Sequence, residues 1–139
     1  MEEQTIQPSQ ILIAGATGLI GRAVVEALLT KGYAVVILTR DPNRIPANLR
    51  SRVGYMEWDG NFSSHLTKEV KHSYAIINLS GEGIIDKPWT RKRRFQLIRS
   101  RLGTTRALAK ACQFASRKPQ VFIQASAVGY YPNSTKEPC

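Results

Sequence analysis

The chain has 139 residues, of which 42% are hydrophobic, which is enough for one folded domain and excludes wholesale disorder. No stretch approaches the roughly 20 apolar residues of a membrane span, and the polar, partly acidic start matches neither a signal peptide nor a transit peptide. The two cysteines, Cys112 and Cys139, resemble neither a disulfide framework nor a zinc site. We therefore expect a protein of the reducing cytoplasm.

The net charge of +10 is unevenly distributed. Between Lys87 and Lys136 there is no Asp or Glu, whereas Lys and Arg recur throughout. Such a basic half favours anionic partners, among them phosphates, nucleic acid and acidic protein surfaces.

Short apolar runs alternate with amphipathic stretches after a lead-in, residues 1–9, that we expect to be frayed. The runs predict strands at Gln10–Ala14, Ala34–Thr39, Val53–Glu57, Tyr74–Leu79 and Val121–Ala125. The amphipathic stretches predict helices at Leu19–Lys31, Ser64–Lys71 and Thr90–Ala115. In the last helix, one face is predicted to be apolar and buried through Phe95, Ile98, Leu102, Ala109 and Cys112.

This alternation indicates an α/β fold, a Rossmann-type doubly wound parallel sheet with strand order 3-2-1-4-5. Residues 10–132 form the predicted domain, and residues 133–139 form a polar tail. In such sheets, ligands bind beyond the carboxyl ends of the strands, where the strand order reverses between strands one and four.

A glycine-rich turn between the first strand and the first helix is the leading candidate site. Gly15, Gly18 and Gly21 have GxxGxxG spacing. A helix N-terminus offers unpaired N–H groups and the positive end of the dipole, and glycines let the backbone approach a pyrophosphate. The context predicts a dinucleotide-binding turn; a tight turn that needs small residues for packing is the alternative.

The second strand ends at Arg40, where an acidic residue would bind the ribose of NAD and an arginine the 2′-phosphate of NADP. The planar guanidinium favours NADP. Asp41 would favour NAD, but it precedes a proline and is expected to begin a turn. The alternative for Arg40 is a solvated residue. Asp59, after the third strand, either accepts from the adenine amino group or forms a turn before Gly60.

The basic run Arg91–Arg94 begins the long helix, where cations oppose the helix dipole. Its position suggests an anionic neighbour such as a substrate pyrophosphate, and a solvated helical face is the alternative. Nucleic acid is the least favoured partner, because the run lacks interleaved aromatic residues and no nucleic-acid motif accompanies it.

Ser126 ends the fifth strand, and Tyr130 and Tyr131 follow it. A hydroxyl at this position can hydrogen-bond a reacting carbonyl or alcohol. A tyrosine can act as the acid or base when a cation lowers its pKa from about 10. Neither tyrosine has a lysine four residues further along.

Several short motifs occur together between residues 10 and 132. They are Gly15–Gly21, Leu38–Arg40, Trp58–Asp59, Ile77–Glu82, Trp89, Ser100–Arg101, Gly103–Thr104 and Ser126–Tyr131. On these motifs the chain resembles the short-chain dehydrogenase/reductase superfamily, on its extended and atypical side. It is most similar to the nucleotide-diphosphate-sugar epimerase-like family.

This resemblance implies NADP, rather than NAD, as the cofactor. The implied cofactor contacts are Gly15, Thr17, Gly18, Leu19, Ile20, Gly21, Thr39, Arg40, Asp59, Leu79, Ser80, Gly81 and Ser100. The glycines would hold the pyrophosphate, Ser80 and Gly81 would line the nicotinamide side, and Ser126 would match the catalytic Ser/Thr of the superfamily. Tyr130 and Tyr131 are the candidate acid/base residues.

Extended members also carry a YxxxK pair beyond strand five, and this chain, which ends at Cys139, has none. We therefore expect the cofactor-binding part of an oxidoreductase or epimerase that acts on a small nucleotide-sugar-like substrate, lacking the sixth strand and inactive alone. The alternative is a non-catalytic NADP-sensing module that binds a partner protein through the basic helix. The fifth strand, exposed at the sheet edge, predicts self-association.

Overall fold

A computed structural model describes residues 9–81 and 90–126. The sheet has five parallel strands in the order β3-β2-β1-β4-β5, which confirms the predicted topology. The strands are β1 Gln10–Ala14, β2 Ala34–Thr39, β3 Gly54–Glu57, β4 Ala75–Asn78 and β5 Val121–Gln124. The helices are α1 Leu19–Thr30, α2 Ala47–Arg50, α3 Ser64–His72 and α4 Arg91–Phe114, and a 3₁₀ turn spans Pro42–Arg44. In the described ranges, no helix is both long and apolar enough to cross a membrane.

The core has two layers, one on each face of the sheet. Because successive side chains of a strand point to opposite faces, β1 sends Leu12 into one layer and Ile11 and Ile13 into the other. The first layer includes Leu66 of α3 and Leu108 of α4. Both faces of the central strands are therefore covered, which explains why their sequences are continuous apolar runs.

Helix α4 packs on the sheet through a different face from the one predicted. Its buried residues are Leu97, Thr104, Ala107, Leu108 and Ala111. The predicted face is wrong for Phe95, Ile98 and Leu102, which are 64%, 52% and 47% exposed, and also for the exposed Ala109. The buried face combines small residues, such as Ala107 and Ala111, with the larger Leu97 and Leu108. Cys112 is half-buried against the core, and burial raises the pKa of its thiol.

Strand β5 lies at the edge of the described sheet, where it pairs with β4. All four of its residues are exposed, including Val121, Phe122 and Ile123. This strand therefore presents both unpaired backbone groups and apolar side chains.

The turn between β1 and α1 is pressed against the end of β4. Gly15 has φ = +80°, and a Cβ added there would lie 2.5 Å from the carbonyl carbon of Leu79. A Cβ added at Gly21 would lie 2.6 Å from the Cα of Ala16 and would also collide with the Gly15 carbonyl oxygen. Both glycines are thus required by backbone packing, whatever the turn binds.

We predict that Gly21→Ala lowers the free energy of unfolding by about 1–3 kcal/mol, because the added methyl group meets backbone that must shift. Urea denaturation of the two proteins measures the difference.

Gly103→Ala is the matched control. Gly103 lies on the exposed side of α4, and apart from its chain neighbours and the backbone of its own helix, no described atom lies within 4 Å of an added Cβ. This substitution should raise the free energy of unfolding by about 0.5–1 kcal/mol, since alanine is the better helix former. An unchanged urea midpoint in Gly21→Ala would contradict the close approach of α1 to the turn.

Candidate functional site

A cleft of about 600 Å³ lies where the strand order reverses, at the carboxyl ends of the central strands. Four segments and one helix line it: the turn after β1, the end of β2 with the turn that follows, the β3–α3 turn, the end of β4, and α4. This is the position that the predicted topology assigned to a ligand.

The cleft brings together most of the predicted cofactor contacts: Gly15, Thr17, Gly18, Thr39, Arg40, Leu79, Ser80, Gly81 and Ser100. Gly21 is buried beneath the turn, and Leu19 and Ile20 are 89% and 70% exposed at the start of α1. Ser126 follows β5 and is exposed, outside the lining of the cleft. Tyr130 and Tyr131 lie outside the described residues.

Helix α1 begins at the cleft without a side-chain cap. Gly18 is its N-cap residue, with φ = −76°, and none of the described side chains caps the first turn. A Cβ added at Gly18 would have the Gly15 carbonyl oxygen as its nearest atom, at 3.7 Å, so the space beside this residue is open. Uncapped N–H groups, the helix dipole and open space together suit an anion.

The end of β2 is fixed by a network of short-range hydrogen bonds. The Thr39 hydroxyl accepts from the Asp41 amide at 3.2 Å and donates to the Asp41 carbonyl at 3.1 Å. The Asp41 carboxylate accepts from the Asn43 amide at 2.9 Å and caps the 3₁₀ turn. Asp41 therefore begins a turn, as its position before proline predicts.

Asp59 lies in an adjoining groove of about 1040 Å³, which it shares with Arg40. Its two carboxylate oxygens accept from the backbone amide of Asn61 at 2.9 Å and from the Asn61 side chain at 3.1 Å. These hydrogen bonds, led by the backbone one, lower the pKa of Asp59, and the nearby Arg40 acts in the same direction. Asp59 thus forms a turn, and its charge lies near the guanidinium of Arg40.

Trp58 precedes this turn and packs in the core, with only 6% of its surface exposed. Its indole N–H donates to the Asn61 carbonyl at 2.8 Å. The residue is therefore mainly a packing residue.

Asn78 holds the end of β4, a role that the sequence patterns do not predict. Its fully buried side chain accepts from the amide of Ser80 at 3.1 Å and also from the Ser80 hydroxyl. Its amide group donates to Gln124 of β5 at 2.9 Å. One side chain thus ties the loop at Ser80 to the neighbouring strand. The sequence signal for this role is an asparagine at the end of an otherwise apolar strand.

Helix α4 contributes Arg93, Ser100 and Thr104 to the cleft. The Ser100 hydroxyl donates to the Leu97 carbonyl and the Thr104 hydroxyl to the Ser100 carbonyl, both at 3.0 Å, so each oxygen keeps acceptor capacity. Of the run Arg91–Arg94, only Arg93 lines the cleft, and the other three residues are exposed. Most of the run is therefore a solvated face.

The cleft is a cationic site suited to a phosphate-bearing ligand. Arg40, Arg44 and Arg93 line it together with the uncapped start of α1. Within residues 9–81 and 90–126, no group of three His, Cys, Asp or Glu side chains could hold a metal ion.

The sequence of this chain matches the model of the NAD dependent epimerase/dehydratase family over residues 11–138. It is 32% identical over 120 residues to the epimerase family protein SSP1921 of Staphylococcus saprophyticus, a match covering 86% of this chain and 38% of that protein. The chain therefore spans well under half the length of this curated relative.

Solved structures show the same fold. The human epimerase family protein SDR39U1, crystallised with NADPH, superposes with a TM-score of 0.71 at 30% identity, over 90% of this chain and 39% of that one. A UDP-glucose-4-epimerase from Stenotrophomonas maltophila, with bound NAD and formylated UDP-arabinopyranose, has a TM-score of 0.76 at 20% identity, over 94% and 40% of the two chains. With the family model matching nearly its whole length, the chain belongs to the NAD dependent epimerase/dehydratase family.

Proposed function

We propose that the cleft binds NADP(H) as the cofactor of an oxidoreductase or epimerase. The observation that carries this proposal is the presence, in one cleft, of the uncapped α1 N-terminus at Gly18 and of Arg40 at the end of β2. The first suits a pyrophosphate and the second a 2′-phosphate. The NADPH in the human SDR39U1 structure supports the choice of cofactor.

Residues 10–132 form the cofactor-binding domain in this proposal. The pyrophosphate lies against the turn from Gly15 to Gly18, and the exposed Leu19 and Ile20 give it apolar cover. The nicotinamide lies toward Leu79, Ser80 and Gly81, beside Ser100. Thr39 shapes the end of β2. Asp59 meets the adenine through the lone pairs that Asn61 leaves available.

The proposed reaction transfers a hydride between a carbinol carbon of the substrate and the nicotinamide, which is the chemistry that NADP supplies when bound. Ser126, at the carboxyl end of β5, orients the substrate oxygen, and Tyr130 or Tyr131 exchanges its proton. The substrate is a small sugar-nucleotide-like molecule, a class supported by the ligand in the Stenotrophomonas epimerase structure. Turnover is proposed for proteins of the relatives' length, and cofactor binding without turnover for residues 1–139.

A cytoplasmic location is also part of the proposal. Cys112 is a free, half-buried thiol in the described chain. A free thiol of this kind fits a reducing compartment.

A second candidate function is a non-catalytic module that binds NADP and an acidic partner protein. The outward face of α4 favours it, because Phe95, Ile98 and Leu102 are exposed there among arginines on a helix with no acidic residue. An activity assay on a relative of full length distinguishes the two functions. Turnover of a sugar nucleotide is expected for the oxidoreductase or epimerase and not for the non-catalytic module.

We predict that residues 1–139 bind NADPH more tightly than NADH, and that Arg40→Ala abolishes this preference. Because the variant loses charge-assisted hydrogen bonds to a phosphate, its affinity for NADPH should fall about 10- to 100-fold, whereas its affinity for NADH should be unchanged. Calorimetric titration measures both affinities. Arg117→Ala, which removes an exposed positive charge beyond α4, is the control for net charge. If Arg40→Ala lowered the affinities for NADPH and NADH equally, that result would contradict the proposed contact with the 2′-phosphate.

Gly18→Ala should separate ligand contact from packing at the glycine turn. The added methyl group meets open space in the protein, so the free energy of unfolding should fall by no more than about 1 kcal/mol, the typical cost of alanine at an N-cap position. The same methyl group would lie where the pyrophosphate approaches, and NADPH affinity should fall about 10-fold or more. Unfolding and titration on one preparation measure both effects. Unchanged NADPH affinity would show that the turn serves packing alone.

We also propose that the chain self-associates through β5. Ile123→Lys places a charge on the exposed edge and should shift the protein toward monomer in sedimentation experiments over a range of concentrations. Leu102→Lys, at a similarly exposed apolar residue of α4, is the matched control. Dissociation by Leu102→Lys and not by Ile123→Lys would place the contact on the helix instead of the sheet edge.

A further inference from the structure

We propose that Arg101 recognises an anionic group of the substrate, a carboxylate or a phosphate, beside the carboxyl ends of β4 and β5. The inference rests on the proposed function, which gives the loop at Gly81 to the nicotinamide. It adds a specificity-determining residue on the substrate side, and it restricts the substrate to molecules that carry a negative charge close to the nicotinamide.

The side of α4 that carries Arg101 faces the gap between β4 and β5. The Thr105 hydroxyl lies 3.1 Å from the side-chain oxygen of Gln124 in β5, and it accepts from the Asn78 side chain of β4 at 3.4 Å. The same hydroxyl lies 2.8 Å from the Arg101 carbonyl oxygen. Because residues four apart share one face of a helix, Arg101 continues this side of α4 toward the helix N-terminus.

Arg101 lies at the level where the two strands have already ended. Helix α4 begins near the cleft at the carboxyl ends of the strands, and it therefore runs opposite to them. The helical turn from Thr105 to Arg101 advances about 6 Å in that direction. The two residues from Gln124 to Ser126 cover a similar distance, about 6–7 Å in extended backbone. Arg101 thus lies at a similar level to Ser126, the residue proposed to orient the substrate oxygen.

The side chain of Arg101 lies against Gly81. A Cβ added to Gly81 would be 3.0 Å from the Arg101 Nε atom and 3.7 Å from Nη2. A larger residue at position 81 would therefore displace the guanidinium. Gly81 lines the cofactor cleft and Arg101 does not. The guanidinium is consequently placed just outside that cleft, next to the loop that the proposed function gives to the nicotinamide.

No described residue neutralises the charge of Arg101. The residue is half-buried, and within residues 9–81 and 90–126 its guanidinium forms no hydrogen bond or ion pair, since only its carbonyl is bonded. Strands β4 and β5 and helix α4 contain no acidic residue. A guanidinium stays charged at neutral pH and offers a planar fork of donors that matches carboxylate and phosphate oxygens. This environment suits an anion that arrives with the substrate.

The test uses calorimetric titration of residues 1–139, saturated with NADPH, with two sugar nucleotides. UDP-glucuronate carries a carboxylate and a diphosphate, whereas UDP-glucose carries the diphosphate alone. Arg101→Gln should lower the affinity for UDP-glucuronate about 10-fold or more, because charge-assisted hydrogen bonds are lost, and should leave the affinity for NADPH within about twofold. Arg101→Lys keeps the charge without the planar fork, so its loss should be smaller.

Arg106→Gln is the matched control, because it removes an exposed guanidinium from the same helix and should change neither affinity. The two sugar nucleotides identify the anion. If Arg101 holds a carboxylate, Arg101→Gln weakens UDP-glucuronate alone, and if it holds the diphosphate, the variant weakens both. The proposal is overturned if Arg101→Gln leaves both affinities unchanged, if Arg106→Gln lowers them equally, or if neither sugar nucleotide binds at millimolar concentration.

The failure of this proposal differs from the failure of the proposed function. If the unsubstituted chain does not bind NADPH, the proposed function fails, and the same titrations without NADPH test Arg101 by itself. If NADPH binds and Arg101→Gln changes no affinity for a sugar nucleotide, the anion contact is overturned and cofactor binding stands. Thermal unfolding accompanies each titration, and Arg101→Met replaces Arg101→Gln if that variant does not fold.

Discussion

The structure depends on one close backbone approach, that of the β1–α1 turn to the end of β4. Gly15 lies against Leu79 and Ser80, and Gly21 lies against the Gly15 carbonyl and Ala16. Side chains at these positions would push α1 away from the sheet. Because the approach holds, the N-terminus of α1 opens onto the point where the strand order reverses.

Two further contacts shape the cleft. In each, a side-chain oxygen accepts a hydrogen bond from a backbone amide two residues further along the chain. Asn78 connects Ser80 to Gln124, so the loop after β4 and strand β5 keep a fixed relation. Asp41 caps the turn after β2 and holds Arg44 at the cleft. The carboxylate of Asp41 and the side-chain amide of Asn78 therefore already have hydrogen-bond partners that hold the neighbouring backbone in place. The arginines that line the cleft lie close to these groups.

The sequence predicts the parts of this molecule that depend on local patterns. Buried parallel strands need apolar side chains on both faces, so Gln10–Ala14 and Ala34–Thr39 are found at the predicted bounds. The turn at Asp41 follows from its place before proline. The packing of α4 could not be predicted in this way, because periodicity favours the large side chains of Phe95 and Ile98, whereas tertiary packing buries a neighbouring face that includes Ala107 and Ala111. The partners of Asn78 and Asp59 depend on tertiary contacts and turn geometry that no spacing encodes.

The position of β1 has a consequence for how the chain acquires its structure. Ile11 pairs with Val35 on one side and with Ala75 on the other, so one neighbour is close along the chain and the other is distant. During synthesis, β1 and β2 can meet early, but β1 remains open on its second side until β4 has emerged from the ribosome. Non-local parallel pairing of this kind slows folding and leaves apolar strands open to other chains in the interval. The strand that is synthesised first and organises the finished sheet is therefore fully protected later than β2, which needs only β3.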